Sequence, residues 1–288
     1  MAKARELRRR IRSVEKTRQI TKTMEMVATS KLKRAQDRVV AARPYAAALA
    51  EAIADLFQPE LGQQFPLLRP VAQARRVALV VITSNRGLCG GFNANLIRMG
   101  RQRLAELGGE GIEVELHAIG RKGIGYFRYV GQALASQRQD IGDRPTPDHA
   151  VGFVEPLMAR FERGEVDAVE VVFAKFNSPV STPPTTLCIL PIAAPRAGGR
   201  RTANHILRPS AEALVSAILP LYVHNQMYRA LVETAAAEQG ARRTAMKNAT
   251  DSAGDMIDWL RRTYNRARQA QITQEIAEIV GGSEALKG

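Results

Sequence analysis

Two stretches at opposite ends of the chain repeat apolar residues at helical spacing, and each is too long to be buried in one small globule. Steps of four and three residues from Leu7 meet Ile11, Val14, Arg18, Thr21, Glu25, Ala28, Leu32, Ala35, Val39, Ala42, Ala46, Leu49, Ile53 and Leu56. The same steps from Leu214 meet Ile218, Leu221, Asn225, Tyr228, Val232, Ala235, Gln239, Arg242, Met246, Ala249, Ala253, Met256, Leu260, Thr263, Ala267 and Ala270. An apolar repeat of this period is the seam of a coiled coil. At 1.5 Å per residue the helices span roughly 80 and 100 Å. Such helices must pair with each other and project.

The seams carry irregularities. Arg18, Thr21 and Glu25 fall together beside Met24, Met26 and Val27, so the apolar side is expected to move around the helix there and meet something other than the partner helix. Pro44 and Pro220 sit within the helical patterns and are expected to kink or break them, at about 3 kcal/mol each in a helix interior. An alternative for Pro220 places it in the first turn of the long helix. Gly281-Gly282 reads as a C-cap. Gly240 has no explanation at this level.

Between the helical ends the period changes. The run from Arg76 to Thr83 is β-branched and continuous, as in a strand buried on both faces. Glu113 to Ile119, Ala168 to Phe176 and Thr185 to Leu190 read as further strands. Helical patterns cover Phe92 to Leu107, Lys122 to Tyr129 and His149 to Arg163. This alternation predicts an α/β sandwich with mostly parallel strands. Asp140 to Asp148 and Ala193 to Arg201 read as surface loops.

Charge narrows the partners. The net formal charge is +14, and the segment from Lys3 to Arg38 holds 13 basic residues against 4 acidic ones. Like charges at helical spacing repel, so this helix is expected to lie against something acidic. A nucleic-acid binder would add stacking platforms or a groove-reading motif, and Lys3 to Arg43 contains no aromatic residue. A basic coiled-coil protein that binds nucleic acid is the alternative reading, and a protein partner is the favoured one. Glu6 and Glu15 interrupt the basic start, which therefore reads as mature protein rather than a transit peptide. Membrane association is expected only through partners.

Site chemistry is sparse. Ser84 to Phe92 is glycine-rich and links a strand to a helix, but no Gly-Lys-Ser/Thr follows. Gly123-Ile124-Gly125 lacks the third glycine of a dinucleotide fingerprint, because Arg128 stands there. Glycines needed for tight turns are the simpler reading, and no cofactor is expected. His117, His149, His205 and His224 are scattered, and Cys89 and Cys188 are too few for a disulfide framework or zinc site. No nucleophile–base set stands out, so the chain reads as non-catalytic.

Several stretches carry a resemblance across essentially the whole chain. They are Ile20 to Ala28, Ser30-Lys31-Leu32, Ala42-Arg43-Pro44-Tyr45, Asn85 to Gly91, Ala245 to Asp251 and Arg266 to Glu275. Together they resemble the gamma subunit of the bacterial F-type ATP synthase, the central rotor shaft. The resemblance implies a long antiparallel coiled coil of N- and C-terminal helices with an inserted Rossmann-like α/β domain, divided as residues 1–58, 59–208 and 209–288. It implies that the coiled coil stands inside a ring of three alpha and three beta subunits, which hold the catalytic sites. The inserted domain would sit with epsilon on the membrane c ring, at the cytoplasmic face of the inner membrane.

Residue by residue, the resemblance places coupling contacts with partners at Met24, Arg242, Arg268, Gln269 and Thr273. It places an apolar bearing at the tip, formed by Ile272, Ile276, Ile279 and Val280. Around Asn204 to Ser210 the chain departs from the family pattern, and individual c-ring contacts are not carried over.

Overall fold

A computed structural model of the chain describes residues 2–56, 65–69, 71, 73–192 and 211–285. The expected domain boundaries at 58/59 and 208/209, the loop at 193–201, His205 and the departure at Asn204 to Ser210 lie outside these residues. The elements are α1 (Ala2–Leu56), a 3-10 turn (Pro66–Leu68), β1 (Arg76–Ile82), α2 (Phe92–Gly109), β2 (Glu113–Ile119), α3 (Arg121–Tyr129) and β3 (Ser136–Arg138). They continue with α4 (Pro147–Glu162), β4 (Ala168–Ala174), β5 (Pro184–Leu190) and α5 (Ala211–Ala285). The chain divides into two compact units, Thr29–Arg242 and Met1–Ala28 with Arg243–Gly288.

The first unit is built on a five-stranded sheet of order β3-β2-β1-β4-β5. β1 pairs in parallel with β2 and β4, β2 pairs in parallel with β3, and β5 runs antiparallel to β4. Successive residues of a strand point to opposite faces. Ala78, Val80 and Ile82 of β1 therefore join Phe153, Leu157 and Phe161 of α4 and Val215, Leu219 and Val223 of α5. Leu79 and Val81 join Phe92 and Leu96 of α2, Phe127 of α3, Leu32 and Val39 of α1 and Val232 and Ala236 of α5. Each fully buried aliphatic side chain contributes about 1.5–3 kcal/mol relative to exposure.

A bidentate ion pair clamps a helix to each face. Arg103 of α2 reaches both Glu170 oxygens of β4 at 2.7 Å. Arg160 of α4 reaches the two Glu115 oxygens of β2 at 2.6 and 2.7 Å. β3 was not expected from the sequence. Ser136-Gln137-Arg138 has no apolar member, and this three-residue edge strand exists through its ladder to His117, Ala118 and Ile119.

α1 and α5 run unbroken through Pro44 and Pro220, so the expected breaks do not occur. A proline removes its own N–H bond and crowds the carbonyl four residues back, a local cost that packing can offset. Buried neighbours on both sides, Val39 and Leu49 or Leu219 and Val223, hold the helix in place. The start of α5 also buries a different side from the one expected. Val215, Leu219 and Val223 face the core, while Leu221 is exposed, because this stretch packs on the sheet unit rather than on a single helical seam. Nor does Gly281-Gly282 cap α5, which continues to Ala285.

The second unit pairs the beginning of α1 with the end of α5. Contacts run Arg261 to Glu15 at 2.8 Å, Arg18 beside Gly254, and Thr250 to Thr21 at 2.8 Å. Rising numbers on one helix meet falling numbers on the other, so the pairing is antiparallel. Thr21, Ala28, Met246, Thr250, Ala253, Ile257 and Leu260 are its buried residues. Thr21 remains on the seam. A hydroxyl pair replaces apolar contact there, while Met26 and Val27 face outward, away from the partner helix, which is the side to which the expected drift moves the apolar residues. Ile257, not Met256, takes the corresponding position of α5.

Candidate partner-contact surfaces

In an open α/β sheet, ligands bind beyond the carboxyl ends of the strands where strand order reverses. Here that point lies between β1 and β4. The structure fills it with α5. Thr234 Oγ1 accepts from the Ala174 N–H at 3.3 Å, and the Glu233 carboxylate accepts from the Phe176 N–H at 3.0 Å. A Cβ on Gly240 would lie 3.0 Å from the Pro179 carbonyl oxygen, which explains why no side chain stands there. Arg242 donates to the Gly87 carbonyl at 3.2 Å and pairs with Glu238 at 2.7 Å.

The glycine-rich loop is likewise turned inward. Ser84 Oγ donates to the Arg86 carbonyl at 2.6 Å, and the Ser84 N–H donates to Asn93 Oδ1 at 3.0 Å. Gly90 adopts φ 59°, a conformation open to glycine at little cost. Cys89 is buried against Ser84 and Asn93, and burial pushes its thiol up. Cys188 is exposed as a residue, yet its thiol donates to the Leu190 carbonyl at 3.1 Å, and desolvation by the surrounding strands pushes it up to about 11. Neither thiol is primed for nucleophilic chemistry.

A charge cluster lies beside the loop. Lys31 bonds Asp143, and Arg38 Nη2 donates to the Asp143 carbonyl at 3.3 Å. Burial works to raise the Asp143 carboxyl, but the Lys31 hydrogen bond and charge bring it below its ordinary value. Burial raises the Glu238 carboxyl against the opposing charge of Arg242. Arg242, expected at a partner contact, is thus buried with both its bonds inside its own unit. Sequence reasoning missed Glu233 and Glu238; an acidic residue four from an arginine on a helix was the available signal.

The other expected contact residues belong to the paired-helix unit. Met24 is half-buried, whereas Arg268, Gln269 and Thr273 are exposed. Ile272, Ile276 and Ile279 form a stripe at i, i+4 and i+7, with Val280 beside it, and Ile279 is 72% exposed. Ile20, Met26, Val27, Met256 and Trp259 add further exposed apolar surface. Sequence reasoning also missed Trp259, the only tryptophan, which is 57% exposed. Its signal was that Leu260 already fills the seam.

Comparison with known proteins identifies the family. The family model described as ATP synthase matches residues 3–286. The ATP synthase gamma chain of Gemmatimonas aurantiaca is 60% identical over 290 residues, with 100% of both chains covered. The chain belongs to the ATP synthase gamma-chain family. The gamma chain of Desulfitobacterium hafniense is 45% identical over 289 residues, again covering 100% of each chain. A chain of the Tetrahymena thermophila mitochondrial ATP synthase central stalk/c-ring structure matches at TM-score 0.62 and 26% identity, over 80% of this chain and 99% of that one. A chain of the Euglena gracilis mitochondrial ATP synthase structure shares the fold at TM-score 0.71 and 20% identity, over 99% and 95%. The gamma-chain fold thus combines long terminal helices with a central α/β region, as the sequence predicted.

Proposed function

We propose that this gamma-chain family member is the central rotor stalk of a proton-translocating F-type ATP synthase. It carries torque between a membrane c ring and a catalytic ring of alpha and beta subunits, and it contributes no catalytic residue itself. The observation that carries this reading is the final stretch of α5, where an uncovered apolar stripe continues beyond the last buried seam residue, Leu260. A helix whose apolar face is left open is marginal in water and gains stability from a partner.

From Gln269 to Leu286 this stretch carries no basic residue. A tip with an apolar stripe and no basic residue can turn within an apolar sleeve without its own cations pairing and unpairing at each step. Ile272, Ile276, Ile279 and Val280 form this bearing. Met24, Arg268, Gln269 and Thr273 meet the surrounding ring, and Arg242 supports coupling from inside the α/β unit. The α/β unit meets epsilon and the c ring, and the whole is peripheral at the cytoplasmic face of the inner membrane. No described helix is long and apolar enough to cross a membrane.

Reconstitution tests the reading. The chain, mixed with alpha and beta subunits, is expected to raise ATP hydrolysis strongly and to turn in steps when labelled with a bead. ATP turnover by the chain alone, or failure to stimulate the ring, overturns it.

A further inference from the structure

We infer that residues 231–242 of α5 are a keyed collar, gripped by the α/β unit so that the helix cannot turn about its own axis against the sheet. This rests on the rotor reading above and specifies where torque enters the helix. Every residue from Leu231 to Gly240 is buried, so the helix is enclosed on all sides there. Ala235, Ala236, Ala237 and Gly240 keep that stretch thin. Enclosure alone does not transmit torque, because apolar contact is non-directional and a smooth cylinder can slip. Hydrogen bonds are directional.

Their placement around the helix is the decisive observation. At 3.6 residues per turn, Glu233 and Gly240 stand about 20° apart, and Arg242 stands about 180° from Glu233. The first two meet the connection between β4 and β5, through the Phe176 N–H and the Pro179 carbonyl. Arg242 meets the loop after β1, through the Gly87 carbonyl. Grips on opposite sides of an axis form a couple, the arrangement that resists rotation. Each charged key is also braced along the helix, Glu233 by Arg229 at 2.7 Å and Arg242 by Glu238. Phe176 is held from α1 as well, since Arg43 Nη2 donates to its carbonyl at 3.4 Å.

The test uses the assembled membrane complex carrying Glu233→Ala with Arg242→Ala. ATP hydrolysis and ATP-driven proton pumping are measured in the same vesicles. Hydrolysis is expected to stay within about twofold of wild type while protons pumped per ATP fall about threefold or more. A role confined to folding would lower assembly and both rates together, leaving that ratio unmoved, and an unmoved ratio overturns the inference. Should the double variant not assemble, Thr234→Val and Arg242→Lys keep the bulk of each side chain. A lowered ratio in either supports the collar, and a wild-type ratio in both overturns it. If the wild-type chain fails to stimulate hydrolysis by alpha and beta, the rotor reading fails and takes this inference with it.

Discussion

The Thr21 and Thr250 hydroxyls lie 2.8 Å apart, buried where the first and last helices of the chain pair. Each also has a carbonyl on its own helix, Arg18 at 3.0 Å and Met246 at 2.8 Å. A polar pair at a seam position favours one register, because a slipped helix leaves both hydroxyls facing apolar groups. Thr21→Val or Thr250→Val alone is expected to cost about 0.5–1.5 kcal/mol, and the double change less than the sum. Urea unfolding of all four proteins checks this. Strict additivity would show that the pair has no coupling.

Arg103→Ala is expected to destabilise the α/β unit by about 2 kcal/mol, because Glu170 is buried and loses both of its hydrogen bonds from Arg103. Its pairing with Arg103 ties α2 to β4 beside their shared apolar core. Thermal unfolding is the measurement, and Arg103→Lys is expected to recover only part of the loss, since a single ammonium cannot make both bonds.

Acid should weaken the fold through a second clamp. Hydrogen bonds from Arg160 hold the Glu115 carboxyl below its ordinary value, against the raising effect of burial. Arg138 likewise holds Asp140 at about 2. A depressed folded pKa means that the contribution is complete above the unfolded value, about 4 for carboxylates, and is lost as pH falls through the folded one. Stability is therefore expected to drop between about pH 4.5 and pH 2. Glu115→Gln should flatten part of that slope. An unchanged slope would show that this carboxylate is not among the responsible groups.

Met24→Lys is expected to lower the number of protons pumped per ATP without unfolding the chain. Met24 is half-buried, so a lysine stem can lie along the same surface with its ammonium in water. In the assembled ring that ammonium would meet the neighbouring subunit. A wild-type pumping ratio would remove Met24 from the contact surface.

Arg268→Ala with Gln269→Ala, and Ile276→Glu with Ile279→Glu, are expected to leave the melting of the isolated chain nearly unchanged. All four residues are exposed, and exposed substitutions usually stay within about 0.5 kcal/mol. In the complex both double variants should lower activity or assembly. Full activity with normal helicity would show that the tip has no partner.

Much of the architecture was legible in the residues alone. The periods of α1 and α5, the β-branched run of β1 and the alternation of strand and helix reflect local preferences that a short window already contains. The resemblance then supplied the family, which full-length kinship establishes. The polar edge strand β3 left no such trace, because its residues are extended only through their partner strand. Pro44 and Pro220 misled for the converse reason, since packing on either side outweighs a local penalty.

The sequence by itself determined that two long helices flank an α/β core, because helical and strand periods are properties of neighbouring residues. Only the tertiary structure decided what Gly240, Glu233 and Arg242 are for. Their roles depend on Pro179, Phe176 and Gly87, which lie 57 to 155 residues away along the chain and are brought close by the sheet. A hydrogen-bond partner or a missing Cβ is defined by what stands opposite, and no period along the chain encodes that.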